Sequence, residues 1–175
     1  MTSVLEKAKS ARLYLDPYME WIEREGVAVY EGLGADMHTI ETKPWPRYGV
    51  NGAAIHLTGR GDFGNAFALE LPPGKSTEPQ QHLYEEIMYV VEGRGSTQIE
   101  FPDGRTHSFE WQRDSLFAIP LNMRYRLHNG DGRNRAMIAS VTNLPLTMMM
   151  YHNDDFIFDN KYFFKDRMGK DDWYA

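Results

Sequence analysis

The sequence contains no cysteine. This removes disulfides, thiolate nucleophiles, iron–sulfur clusters and cysteine-based zinc sites, so any metal must be held by His, carboxylate or amide oxygen. It also lacks a basic excess. The 19 Lys and Arg stand against 25 Asp and Glu, a formal net charge of -6, which argues against a phosphate-tracking surface and against nucleic acid as a partner. Long apolar runs are missing too, with no segment near the roughly 20 residues of a membrane span, so no membrane partner is expected. The stretch Met1 to Leu15 carries Glu6, Lys7, Lys9 and Arg12 and has no unbroken apolar core, unlike a signal peptide. The expectation is a soluble, cytoplasmic protein. Internal repeats and low-complexity stretches are absent as well.

What the chain does contain suits a folded domain. Its 175 residues are 42% hydrophobic and 13% aromatic, enough for one core and against disorder. A single domain over residues 1–175 is expected, with an N-terminal helical arm at 10–25, a barrel core at about 27–143 and a C-terminal extension at 144–175. In the arm, Tyr18, Trp21 and Ile22 recur at helical intervals after Pro17.

Beyond Gly26 the texture changes to short runs separated by Gly, Pro and Asp clusters: Val27 to Tyr30, Met37 to Glu41, Ala53 to Leu57, Ala66 to Leu71, Gln81 to Val91, Ser96 to Phe101, His107 to Trp111, Ser115 to Ile119, Arg124 to Asn129 and Arg135 to Val141. Short strands at this spacing predict an all-β antiparallel sandwich or barrel. After Pro145 the run Leu146 to Tyr151 predicts a helix, with Met148, Met149 and Met150 packing on the barrel. The tail that follows carries Phe156, Phe158, Tyr162, Phe163, Phe164, Trp173 and Tyr174, aromatics that must cover a barrel rim or a partner subunit.

The chemically informative stretch runs from Pro73 to Gly93. Gln80 and His82 are two apart, so on an extended strand they leave the same face. A turn at Leu83-Tyr84-Glu85 brings Glu86 beside His82. An amide oxygen, an imidazole and a carboxylate then converge inside the barrel, a ligand set for a divalent metal. His128 is expected on the opposite strand face, His56 and His107 stand alone, and His38 and His152 lie outside these strands. Arg47 and Tyr48 follow the Pro-stiffened Trp45-Pro46 and are expected over the barrel mouth. Arg47 and Arg124 can each clamp a substrate carboxylate with a planar fork or pair with an acidic residue. Met88, Val90 and Phe117 are expected to line an apolar cavity suited to a small organic ligand.

This spacing resembles the cupin superfamily, whose first motif reads Gly, five residues, His-x-His, three or four residues, Glu, six residues, Gly. Gly74, Gln80, His82, Glu86 and Gly93 match it, with Gln80 in place of the first His. The second motif, Gly, five residues, Pro-x-Gly, two residues, His, three residues, Asn, aligns as Asp114, Pro120, Asn122, Tyr125 and Asn129. Asn122 is able to adopt the turn conformation usually given to Gly. The resemblance covers about Ala66 to Val141, and the wording of the chain is similar to uncharacterised bacterial cupin-domain proteins.

The resemblance implies a cupin jelly roll, a double-stranded β-helix with an N-terminal helix and a short C-terminal helical and aromatic extension, paired as a homodimer. It implies a divalent transition metal (Fe, Mn, Ni or Zn) on Gln80, His82 and Glu86, with Tyr125 as fourth ligand, as the acid or base toward substrate, or as a hydrogen-bond partner of Glu86. Two arrangements suit these residues: ligands around an ion, or a metal-free hydrogen-bonded core network. The implied activity is metal-dependent chemistry on a small organic, aromatic or carboxylate-bearing substrate, a dioxygenase first, with Arg47, Tyr48, Met88, Phe117 and Arg124 binding it. A lyase or isomerase at the same site, or a non-catalytic binding or accessory cupin, are the alternatives.

Overall fold

A computed structural model describes residues 16–59, 61 and 63–167. The first element of the described residues is α1 (Pro17–Glu25), which Asp16 starts by accepting from the Met19 amide at 3.0 Å and Gly26 ends in the left-handed region. Tyr18, Trp21 and Ile22 form its buried face. Of the expected arm at 10–25, residues 10–15 lie outside the described part.

Among the described residues ten strands follow: β1 (Ala28–Gly32), β2 (Lys43–Trp45), β3 (Val50–Leu57), β4 (Asn65–Leu71), β5 (Glu86–Glu92), β6 (Arg94–Glu100), β7 (Thr106–Gln112), β8 (Leu116–Ile119), β9 (Arg124–Asn129) and β10 (Ala136–Thr142). One sheet runs β1-β3-β4-β10-β5-β8 with β2 on β3, and the other runs β7-β6-β9. All pairs are antiparallel except β1 with β3. Sequence neighbours β5 and β6 therefore lie in different sheets, and the two sheets face each other as a jelly roll.

The space between them holds the main core, including Phe67, Leu69, Met88, Val90, Ile99, Leu127 and Ile138. Strands β3, β4 and β10 are buried on their other face as well, where Ala53, Ile55, Ala68 and Met137 meet Ile40 and Met37. This explains one difference from expectation. Met37 to Glu41 is not a strand: Asp36 takes the His38 amide on its side chain and the Thr39 and Ile40 amides on its carbonyl, closing a turn that drops Ile40 onto the sheet. Pairing likewise begins at Glu86 and not at Gln81, because residues 81–85 form the bend that re-aims His82.

Helix α2 (Leu144–Tyr151) buries Met148 but leaves Met149 46% and Met150 64% exposed, so one methionine of the three packs inward. Helix α3 (Asp154–Phe158), capped by Asn153, buries Ile157, whose carbonyl accepts the Leu83 amide at 2.7 Å. Phe158 and Phe163 pack on the core, Phe156 and Tyr162 stay exposed, and Trp173 and Tyr174 lie outside the described residues. No helix among the described residues is long and apolar enough to cross a membrane.

Four turn positions of the two spaced motifs share one backbone property. Gly74, Gly93, Asp114 and Asn122 have φ of 66°, 90°, 68° and 60°, and Asp and Asn enter this region more readily than other side chains. Gly95 is needed for a different reason: a Cβ there would overlap the His128 carbonyl oxygen and the Trp111 ring. Gly95→Ala is expected to lower unfolding free energy by about 3 kcal/mol through overpacking, while Gly132→Ala, with open space around it, changes it by less than about 0.5 kcal/mol. Urea denaturation of the two variants checks this.

Candidate functional site

The bend at residues 81–85, strands β5 and β10 of the large sheet and strand β9 of the small one bring His82, Glu86, Ser140 and Tyr125 to one place. All four are between 0 and 2% exposed. The His82 Nε2 and Glu86 Oε2 atoms are 2.8 Å apart, and the Tyr125 hydroxyl donates to the same Oε2 at 2.8 Å while lying 3.3 Å from His82 Nε2. Ser140 Oγ donates to Oε1, the other carboxylate oxygen. The His82 ring stacks on Tyr84 at 3.7 Å with a 9° interplanar angle, and its Nδ1 sits 3.0 Å from the Tyr84 carbonyl.

The protonation pattern follows from these contacts. Burial by itself raises the Glu86 carboxyl, but hydrogen bonds and charge from His82, with further bonds from Ser140 and Tyr125, outweigh it and hold the group below its ordinary value. Glu86 is a carboxylate. Burial first, and then the Glu86 charge, push the Tyr125 phenol well above its ordinary value. Burial and the Glu86 charge raise Tyr48 as well, and Tyr84 rises through burial and the neighbouring Tyr48 and Glu86. The three tyrosines around the carboxylate are neutral phenols.

The donor chemistry can now be tested against a metal. The Tyr84 carbonyl only accepts, so His82 Nδ1 carries a hydrogen and Nε2 is the nitrogen turned toward Glu86. An imidazole held this way, with a carboxylate oxygen 2.8 Å from its second nitrogen, shares one proton with it, and a metal ion that displaced this proton would find a lone pair on each atom. Ligating histidines are commonly oriented by such a carbonyl. His82 and Glu86 therefore fit a divalent ion. Among the described residues no group of three His, Asp or Glu closes such a site, so Tyr125 and open positions would complete the shell.

Gln80 stands apart from the other three. Its amide nitrogen donates to the Arg47 carbonyl at 2.8 Å and the Glu78 carbonyl at 3.1 Å, and it touches the centre through its backbone, which pairs with Tyr125 at 2.8 and 2.9 Å. Tyr48 is buried and reaches Tyr84 and Tyr125 with its hydroxyl. Met88 is fully buried in the core, and Phe117 packs edge-on to Phe109. Arg47 and Arg124 line a cavity of about 500 Å³ at one end of the barrel. His128 bonds Ser76 on the outer face of β9, and His56 pairs with Tyr18 under α1.

Ser140 and Tyr84 were not anticipated. Ser140 had a signal: it falls at the inward parity of β10 with Ala136 and Ile138, where a hydroxyl needs a partner. Tyr84 read as a turn residue and had none.

These features define a class, a jelly-roll barrel with an inward-facing His–Glu pair. No family model matches the chain. Solved structures similar to it include the Cnp3 cupin domain of Schizosaccharomyces pombe, with TM-score 0.51 and 12% identity over 63% of this chain and 68% of that one. Peruvianin-I, described as a cysteine peptidase from Thevetia peruviana latex, gives 0.52 at 14% identity over 63% and 71%. A vicilin from Capsicum annuum gives 0.50 at 15% identity over 60% of this chain and 29% of that one. The chain has the cupin fold. The likeness extends to architecture alone, since the identities are 12, 14 and 15%.

The Glu86 carboxylate is the hub of this cluster, and its neighbours are unequal to it. Glu86→Ala is expected to cost about 3–5 kcal/mol because it strands the groups that face it. Tyr125→Phe and Ser140→Ala each remove one donor and cost about 1–3 kcal/mol. Thermal and urea unfolding rank the three, and equal losses would contradict a carboxylate hub.

Proposed function

We propose that the protein is a metal-dependent cupin enzyme acting on a small organic molecule, with His82 and Glu86 as the side chains that hold one divalent ion of Fe, Mn, Ni or Zn. The observation that carries this is the buried pairing of His82 Nε2 with Glu86 Oε2, two lone-pair donors that share one proton, with His82 Nδ1 already committed to the Tyr84 carbonyl. A bound ion supplies a Lewis-acid centre with open positions for substrate. The chain's own residues do the rest. Ser140 fixes the carboxylate through Oε1, the stacked Tyr84 ring fixes the imidazole plane, and Tyr125 keeps its proton at Oη, placed to donate a hydrogen bond to a group bound beside Glu86. Tyr48 and Tyr84 close the surroundings against water. Dioxygenation leads among the reaction classes, with lyase or isomerase chemistry next.

A second reading, a non-catalytic small-molecule-binding cupin, is favoured by a different observation. Every polar atom named at the centre already has a hydrogen-bond partner, so the network is closed without an ion.

Elemental analysis separates the two. Protein purified without added metal or chelating resin, then incubated with Fe(II), Mn(II), Ni(II) and Zn(II) in turn, is expected to carry about one ion per chain, bound with release of the proton it displaces. His82→Ala and Glu86→Gln lose the ion, and Tyr125→Phe keeps at least part of it, with circular dichroism establishing that each variant is folded. Folded parent protein that takes up none of the four ions rejects the metalloenzyme and leaves the binding protein.

A further inference from the structure

The cavity of about 500 Å³ at the barrel end is built largely by parts outside the two sheets: the end of α1, the turn after β2, the segment Pro79 to Gln81, the first residue of β9 and the end of α3. Its volume falls within the range of small-molecule sites. Arg24, Arg47 and Arg124 line it together with Gln80 and Gln81. These arginines differ in how firmly they are held.

Arg47 is fixed. Its guanidinium lies 4.2 Å over the Phe158 ring and 5.3 Å over the Trp21 ring, and it bonds Glu25 at 2.7 Å. Glu25 is itself pinned by the Trp45 indole at 2.9 Å. Two buried N–H donors in this stack, Arg47 Nε and Trp21 Nε1, have no acceptor among the described residues. Arg24 and Arg124 are held loosely, in ion pairs with Asp154 and Glu100 whose side chains are all more than half exposed. Such pairs contribute little, so both guanidinium groups are able to turn to a ligand at small cost. The same cavity also contains Glu25 and Asp159. That mixture of signs disfavours a multiply charged phosphate and suits a carboxylate that also carries a hydrogen-bond donor.

We propose that this cavity binds a small organic carboxylate bearing a hydroxyl or ammonium group, with Arg47 as the fixed clamp and Arg124 and Arg24 closing on it. The site adjoins the buried centre through Gln80, which lines the cavity while its backbone pairs with Tyr125. It takes its ligand whether or not the centre holds an ion, so it is tested on the full chain after EDTA treatment, where a failure of the metal reading has no bearing.

The probes are L-malate, L-aspartate, the neutral diamide of malate, and inorganic phosphate, each titrated against the protein by calorimetry and by thermal shift. Malate or aspartate is expected to bind and stabilise, with Arg124→Gln weakening it about tenfold through loss of a charge-assisted hydrogen bond, Arg24→Gln acting in the same direction and Arg47→Gln abolishing it. Arg24 and Arg124 are exposed enough that their variants fold even where Arg47→Gln does not. The proposal is overturned if neither acid binds, if the neutral diamide binds as well as malate, if phosphate binds in preference to both acids, or if Arg124→Gln and Arg24→Gln leave binding unchanged.

Discussion

One buried carboxylate organises the interior of this barrel. Taking an ion such as that of Glu86 out of water costs several kcal/mol unless hydrogen bonds and an opposite charge or cation offset it. Three side chains offset it here. His82 comes from the bend before β5, Ser140 from the neighbouring β10 and Tyr125 from β9 in the opposite sheet. The Tyr125 contact spans the barrel, so the carboxylate works as a polar tie between the two sheets within a largely apolar core. The register of β5 on β10, which sets Glu86 against Thr142 and Met88 against Ser140, is bound to this requirement. A slip of β5 by one residue would turn Glu86 out of the interior and leave Ser140 and Tyr125 without their acceptor.

The ends of the chain complete what the strands begin. Asn122, in the left-handed conformation at the turn before β9, donates to the carbonyls of Asn160 and Tyr162, while Gln81 donates to Asn160 and to Asn122. One turn therefore serves the strand reversal and the anchoring of the C-terminal extension over the same barrel end. On the opposite flank, α1 inserts Trp21 against Trp45, Phe67 and Phe158. The two extensions meet through Phe158, and Arg47 lies over that meeting point. The cavity at this barrel end is thus a consequence of closing the barrel with aromatic residues and holding the Arg47 cation among them.

The fold was legible because its turns are constrained by backbone geometry that a sequence displays. Gly74 and Gly93, with Asp114 and Asn122 as their permitted substitutes, set four positive-φ corners at fixed intervals, and alternating strands of suitable length fill the gaps. The pairing of His82 with Glu86 was legible for the same reason, since a bend between them sets their separation. Less of the surroundings could be read. Nothing local to Gln80 says that the Arg47 carbonyl lies 2.8 Å away, because that neighbour is 33 residues distant and arrives through the β2–β3 turn. Met37 to Glu41 has the composition of a strand, and only the Asp36 cap and the apolar face beneath it decide for a turn. Burial at a residue can be inferred from periodicity. The direction in which a polar side chain spends its hydrogen bonds depends on tertiary neighbours.

Tyr125 shows how one change of residue type redirects a centre. Where the motif carries a histidine, an imidazole would bring a lone pair; the buried phenol brings a proton, and the Glu86 charge beside it holds that proton more firmly still. Each reinforces the other: the phenol stabilises the carboxylate by donating to Oε2, and the carboxylate keeps the phenol neutral. The centre then contains one anion, one imidazole and donors on every other side, and its electrostatic balance requires a single positive charge at one position. A proton shared by His82 Nε2 and Glu86 Oε2 meets that requirement, and a metal ion in its place would face the same two atoms, with the buried Tyr48 and Tyr84 screening both from water.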